Sequence, residues 1–441
     1  MSKKCDRCKI RFTLREHHQI CLDCYTKKEL LEPNENKIID DFISYTRLHS
    51  SGKKRMHSFP YELFKNIERI GDGGFSTVYK AFFDNDHIYS HYFDRDNKRK
   101  SKYDKRNYGR QVVLKKLKNS KDLTSEKLNE LKIYYQLSWK EKKKYHPISG
   151  RPTNISNYLG ITQDPETKDF VIVMDYYDLG DLKSYISKDF YNVSWIDKLY
   201  ILEDTICGLI NFHNLNIIHK DIHNGNILLK NVNSSKEAVL CDFGISKSAL
   251  EADDETVYGK TPYVAPEILN GQKYTTASDI YSLGMIMWEL MTGRSPFWDH
   301  DHDEILTFKI IDGARPPIIT NAPRGYIELM GECWHPNPEK RPTANELYKK
   351  IKNIKIEEWN NETQIIKSPD IGPTNTEIIE SSSRCFSVNT TNDSLNLEFD
   401  KRKFSKIDDN FDESGKGNKK IKLTSENEDD GYVSEELYFD I

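Results

Sequence analysis

The sequence predicts an α+β protein in which strands come first and helices second, and three patterns carry that expectation. Short runs rich in β-branched residues, at 67–70, 111–115 and 170–174, all precede residue 176. A buried helix at 201–211, a strongly apolar one at 278–291 and an amphipathic one at 344–356 dominate the later part of the chain. After about residue 362 the composition turns to Ser, Thr, Asn, Asp, Glu and Lys. Its few apolar side chains cannot offset the entropy of ordering, so a disordered tail is expected over 357–441.

At 441 residues the chain exceeds one small domain, and a formal net charge of −4 argues against wholesale attraction to nucleic acid or anionic membrane. No apolar run reaches bilayer length, and Met-Ser-Lys-Lys-Cys at the N-terminus lacks the hydrophobic core of a secretory signal. A soluble, intracellular protein with no membrane partner is expected. Four of the eight cysteines fall within the first 24 residues, while Cys207, Cys241, Cys333 and Cys385 are scattered, which suits a metal site better than a disulfide framework.

In chain order, Cys5-x2-Cys8 and Cys21-x2-Cys24 present two thiolate pairs suited to tetrahedral Zn2+ over residues 1–30. So short a segment has no core of its own, and metal binding would supply its folding free energy. A redox-active pair of turns is the alternative, and His17 and His18 are read as solvent-facing. A protein partner is expected for this finger; Lys3, Lys4, Lys9, Arg11 and Arg15 keep weak nucleic-acid binding open, although the net charge and the lack of interleaved aromatics count against it. Residues 31–60 read as a linker or docking segment, in which Ile38, Ile39, Phe42 and Ile43 suit a short amphipathic helix.

A strand at 67–70 runs into Gly71-Asp72-Gly73-Gly74-Phe75-Ser76, whose glycines let backbone N–H groups approach a phosphate chain, and Val78 begins the return strand. A polar insertion with eight Lys or Arg between Arg95 and Arg110 reads as a solvated loop. The next strand ends at Lys115, and a helix over 125–137 carries Glu130; a buried Lys-Glu pair would hold the ammonium on phosphate oxygens. Met174, Asp175, Tyr176 and Tyr177 form an extended connector able to offer backbone groups to a base edge, and a helix starts near Asp181.

Residues 217–229 organise the rest. Apolar arms, Ile217-Ile218 and Ile227-Leu228-Leu229, anchor a polar segment in which Asp221 can accept a proton and Asn226 can offer a neutral oxygen to a hard cation. Sixteen residues after Asn226 comes Asp242-Phe243-Gly244, a second carboxylate at a sharp turn. An irregular stretch over 245–264 comes next, bearing Ser246, Ser248, Thr256, Tyr258 and Thr261 and ending at Ala265-Pro266-Glu267. Glu267 and Arg341 are candidates for a buried ion pair.

Taken in this order, Gly71-x-Gly73, Lys115, Glu130, His219-Lys220-Asp221-x4-Asn226, Asp242-Phe243-Gly244, Ala265-Pro266-Glu267, Asp279 and Arg341 resemble the eukaryotic protein kinase catalytic domain over residues 61–356. Cys333-Trp334 and Val264 to Glu267 resemble its tyrosine-kinase-like group. The resemblance implies a two-lobed fold, with a small β-rich N-lobe over 61–174 and a large α-helical C-lobe over 178–356. It implies transfer of the γ-phosphoryl of ATP to protein Ser or Thr hydroxyls in intracellular signalling, with Mg2+ or Mn2+ held by Asn226 and Asp242. Lys115, held by Glu130, would bind the α and β phosphates, and Asp221 would accept or orient the hydroxyl proton. Gly71, Asp72, Gly73, Gly74, Phe75, Ser76 and Val78 would cover the nucleotide; the backbone of Asp175 and Tyr177 would meet the base, and Asp181 the ribose.

Departures from the family pattern bear on specificity. Ser76 replaces a glycine, Lys220 an arginine, His223 a lysine, and Lys260 a threonine. On this reading Lys260 supplies from the 245–264 segment the phosphate-facing charge that His223 lacks, and phosphorylation of Thr256 or Tyr258 would order the segment against Lys220. Dual hydroxyl specificity stays open. A pseudokinase scaffold and a nucleic-acid-binding protein led by the finger are the rival readings. Lys401-Arg402-Lys403 and Lys419-Lys420-Ile421-Lys422 resemble a bipartite nuclear import signal, so a cytoplasmic location is expected with the nucleus left open.

Overall fold

The structure is a computed structural model that describes residues 2–4, 11–13, 37–49, 56–74, 76–83, 110–121, 128–140, 154–232, 235–249 and 257–374. The four N-terminal cysteines, Phe75, the insertion over 84–109, Thr256 and residues 375–441 lie outside them. Near the N-terminus β1 (Ser2–Lys4) pairs antiparallel with β2 (Arg11–Thr13).

Helix α1 (Lys37–His49) leads into a six-stranded sheet of order β3-β7-β8-β6-β5-β4. Its strands are β3 (His57–Ser58), β4 (Phe64–Asp72), β5 (Ser76–Phe83), β6 (Arg110–Leu117), β7 (Tyr158–Gln163) and β8 (Phe170–Asp175). All neighbours are antiparallel except β3 with β7. The parallel pair corrects the expected boundary at residue 61, because His57 and Ser58 already belong to the sheet. No alternation over two residues marks so short a strand.

The strand period of two decides which side chains reach the cleft. In β8, Phe170, Ile172 and Met174 join the main core, while Val171 and Val173 join a second cluster with Phe59, Phe64 and Phe83. In β6 the same alternation sends Val112 and Leu114 to the second cluster and Val113 to the main core. Lys115 therefore shares the face of Val113, opposite Val78 on one neighbour and Ile172 on the other. Helix α2 (Asn129–Lys140) packs on that face through Leu131 and Tyr134.

The second half is helical. It comprises α3 (Leu182–Asp189), α4 (Trp195–His213), α5 (Pro266–Leu269), α6 (Thr276–Thr292), α7 (Glu304–Ile311), α8 (Tyr326–Cys333) and α9 (Ala344–Asn360). Helix α4 starts where Ser194 accepts from the Asp197 amide, and α6 and α9 start with capping boxes at Thr275 and Thr343. Helix α6 ends at Gly293, whose φ of 75° is the left-handed conformation that favours glycine. Small ladders carry the polar segment between the lobes: β9 (Gly180–Asp181), β11 (Ile227–Val232) and β12 (Ser235–Leu240) form one, and β10 (Ile217–Ile218) with β13 (Lys247–Ser248) forms the other. Among the described residues no helix is long and apolar enough to cross a membrane.

The expected tail begins too early. Helix α9 runs past residue 356 to Asn360, and residues up to 374 are laid against the helical lobe. Gly372 donates to the Thr292 carbonyl at 2.7 Å, and the Tyr191 hydroxyl donates to the Ile371 carbonyl at 2.8 Å. Gly372 has a φ of +86°, and an added Cβ would stand 2.7 Å from Tyr191 Oη. Polar composition hid this segment because its bonds are made by backbone groups and by partners far away in sequence.

Lys198 in α4 is 1% exposed, its Nζ stacked over Phe190 at 3.9 Å, and among the described residues it has no hydrogen-bond partner. Burial drives its pKa down to about 7. Between that value and the ordinary lysine range the unfolded chain binds the extra proton, so this group makes stability rise with pH above about 7. We expect Lys198→Met to raise the melting temperature at pH 7 and to flatten its rise towards pH ~10; equal shifts across that range would show that charge burial is not the cause.

Candidate active site

The cleft between sheet and helical lobe encloses about 500 Å3 of space open to solvent. Val78, Val113, Met174 and Leu228 form apolar walls, and Lys115, Glu130, Asp181, Asn226 and Asp242 gather at the polar end. Val113 was not singled out from sequence, yet period two gives it, because it lies two residues before Lys115 on the same strand; Leu228 belongs to the apolar arm after Asn226. Gly225 and Cys241 also line the cleft, as neighbours of Asn226 and Asp242.

Lys115 Nζ donates to both Glu130 oxygens, at 3.1 and 2.9 Å, and to Asp242 Oδ1 at 2.8 Å. Burial opposes its charge, but Asp242 and Glu130 outweigh burial and hold the ammonium above the ordinary lysine range. Asp242 is half-buried, and although burial opposes its charge, Lys115 keeps its carboxyl below the usual range. Glu130 is fixed from the other side by the Tyr158 hydroxyl, which donates at 2.6 Å.

Aromatic rings tie this group to the helical lobe. Tyr134 stacks on Tyr158 at 4.9 Å between centroids, Tyr158 on Phe243 at 5.3 Å, and Phe243 meets His219 edge-on at 6.0 Å. Phe243 is fully buried and Asp242 has a φ of 62°, so the ring anchors the turn that aims the carboxylate at Lys115. Below, Asp279 accepts from the amides of His219 and Lys220 at 2.9 and 3.0 Å.

Asn226 donates through its side-chain nitrogen to the Asp221 carbonyl at 2.9 Å and to Asp221 Oδ2 at 3.0 Å. Burial, reinforced by the charge of Asp242, pushes the Asp221 carboxyl up to about 7. His223 turns inward: its Nδ1 accepts from the Gly225 amide at 2.9 Å, and burial with Lys260 nearby keeps the ring neutral. Lys260 reaches the same turn, its Nζ 3.8 Å from where a Cβ would stand on Gly225. Burial lowers its pKa to about 8, with Asp221 and Asp181 opposing.

Other nominated residues have structural partners. Asp72 is tied to Arg69, to Thr77 at 2.9 Å and to Lys118 at 3.0 Å, which braces the glycine turn. Gly73 donates to the Ser76 carbonyl at 2.7 Å, closing the turn between β4 and β5, in which Gly74 is the other glycine, while Gly71 lies in β4 opposite Val78. Asp175 pairs through its side chain with Arg110 and gives its amide to Asn157 at 3.0 Å. The Tyr177 ring is buried, and its carbonyl accepts from Gly180 at 3.2 Å. Asp181 lines the cleft and caps α3 by accepting from the Ser184 amide at 2.7 Å. Arg341 grips Glu267 with two bonds of 2.6 and 2.7 Å, the buried pair that the sequence suggested.

The segment over 257–264 is held by a tyrosine that was not foreseen. The Tyr274 hydroxyl accepts from the Tyr258 amide at 2.9 Å and donates to the Tyr258 carbonyl at 2.6 Å, while Lys220 Nζ sits 4.8 Å from the Tyr274 ring centre. Those contacts hold Tyr258 by its backbone.

A strand-rich lobe, a helical lobe, and charged groups of both meeting in one cleft define the class of the protein kinase catalytic domain. The family description "protein tyrosine and serine/threonine kinase" matches residues 64–351, well over half of the chain, and the chain belongs to that family. It is 31% identical over 243 residues to the probable serine/threonine-protein kinase roco8 of Dictyostelium discoideum, covering 53% of this chain and 12% of that protein. To the probable serine/threonine-protein kinase pats1 of the same organism it is 29% identical over 311 residues, 68% of this chain and 9% of that one. To the probable serine/threonine-protein kinase drkA, also of that organism, it is 29% identical over 250 residues, 56% and 36% respectively. The chain thus spans about a tenth of the length of the first two relatives.

Two hydrogen bonds to Tyr258 are worth about 1 kcal/mol each, so Tyr274→Phe should release the segment by roughly thirtyfold. The expected result is faster limited proteolysis within 257–264 and a several-fold lower turnover, and unchanged cleavage would show that the hydroxyl does not hold the segment.

Proposed function

We propose that this chain is an active kinase that transfers the γ-phosphoryl of ATP to Ser or Thr hydroxyls of protein substrates. The observation that carries the reading is the meeting of Lys115 with both Glu130 and Asp242 beside an Asp221 tied to Asn226, since no structural need brings two carboxylates to one ammonium in a cleft with a third close by. The kinase names of the relatives support the hydroxyl preference.

The residues fit a hard divalent cation. Asn226 spends its amide nitrogen on Asp221, so its oxygen is left as an acceptor, and Asp242 lines the same cleft. When bound, Mg2+ or Mn2+ there would neutralise phosphate charge as the phosphoryl group moves. The chain's own part is positioning. Lys115, fixed by Glu130, holds phosphate oxygens; Asp221 orients the incoming hydroxyl and accepts its proton; the apolar walls exclude water around them. Lys260 supplies the second phosphate-facing cation, the office that a neutral, inward-turned His223 cannot fill.

The cysteine spacing at the N-terminus, where β1 and β2 pair on either side of Cys5 and Cys8, supports a structural Zn2+ with Cys21 and Cys24 and a protein partner for that segment. Cys333-Trp334 and Val264 to Glu267 support the tyrosine-kinase-like group, and the basic clusters at 401–403 and 419–422 support a nuclear as well as a cytoplasmic location.

With a generic protein substrate and Mg-ATP, Asp221→Asn should cut turnover by about 10²–10⁴ while nucleotide binding persists. Wild-type protein that binds nucleotide yet transfers nothing would establish a scaffold instead. Lys260→Ala should lower turnover about tenfold or more with little change in the ATP KM, as expected for a donor to the transferred group. Turnover equal to wild type would remove Lys260 from the mechanism.

A further inference from the structure

Helix α1 lies upstream of the matched kinase region, yet it is built into the small lobe. Ile39, Phe42 and Ile43 recur at helical spacing and are 0%, 4% and 1% exposed, in one continuous core with Leu128, Leu131, Tyr134 and Tyr135. Phe42 meets the Tyr135 ring edge-on at 6.3 Å between centroids, and Tyr45 meets the same ring at 5.9 Å. Tyr135 stands five residues after Glu130 on α2, next to Tyr134, whose ring stacks on Tyr158; and Tyr158 donates to Glu130.

Helix α2 is thus wedged between α1 and the aromatic rings that lead to Phe243. It presents Glu130 to Lys115 at 2.9 Å. An error of about 1 Å in such a placement is felt in the rate. We propose that α1 is a positioning element of the kinase site, with Phe42 and Ile39 setting α2 so that Glu130 engages Lys115. This rests on the kinase reading above and extends the functional unit to residues that the family match does not include.

The test uses the full chain and a double-mutant cycle, since a residue acting only through Glu130 loses its effect once that carboxylate is neutralised. Turnover with Mg-ATP and a generic protein substrate is measured for wild type, Phe42→Ala, Glu130→Gln and the double variant. The expected pattern is a loss of about tenfold for Phe42→Ala in the wild-type background, little further loss in the Glu130→Gln background, and partial recovery with Phe42→Leu. The same fold-loss in both backgrounds, or none in the first, overturns the proposal. If Phe42→Ala does not fold, Ile39→Val takes its place in the cycle under the same criteria. An inactive wild type would count against the kinase reading, whereas an active wild type with an indifferent Phe42→Ala counts against the role of α1 alone.

Discussion

Everything in this structure depends on one buried ammonium between two carboxylates. Lys115 can stay charged at 8% exposure only because Glu130 and Asp242 both reach it, and removing one partner of such a pair costs about 3–5 kcal/mol. Three elements must therefore be set together: strand β6, helix α2 and the turn at Asp242. The cluster also carries more negative than positive charge once Asp221 is counted. Burial, and after it the charge of Asp242, raises the pKa of Asp221, and a divalent cation with its phosphates would relieve the excess negative charge.

The aromatic rings explain how so distant a set of groups is held in register. Tyr134, Tyr158, Phe243 and His219 belong to four separate segments, and each ring fixes the next through contact area, tilted in the first two pairs and edge-on in the third. Asp279 terminates the series by fixing the backbone before Asp221. The helical lobe supplies rigidity through α4 and α6, whose apolar sides are buried almost throughout. Sheet and helices thus make a frame, and the polar groups lie where the frame leaves a gap.

Around this centre the chain departs from its family in a coherent way. His223 spends its imidazole nitrogen on the Gly225 amide, a capping role, and Lys260 brings its charge to the same glycine from another segment. Tyr274 likewise gives the 257–264 segment two backbone bonds and offers its ring to Lys220. In the first of these places a lysine stands where a threonine was expected, and a histidine where a lysine was.

Much of this was legible in the sequence, because the chemistry of a carboxylate, an amide or a lysine is a property of the residue and travels with the motif. Strand and helix also showed as apolar runs of the right length, since β8 and α6 are buried almost throughout. The features that sequence patterns missed are contacts. The strand His57–Ser58 is too short to show a period, residues 361–374 are bound by their backbone, and the carboxylate of Asp72 serves its own turn. Sequence alone determined which charges are present, in what order, and on which face of each element. Only the tertiary structure decided that Lys115 would meet Asp242, 127 residues away, and that α1 would lie on α2, because closing such long loops is settled by the whole core and not by any local spacing.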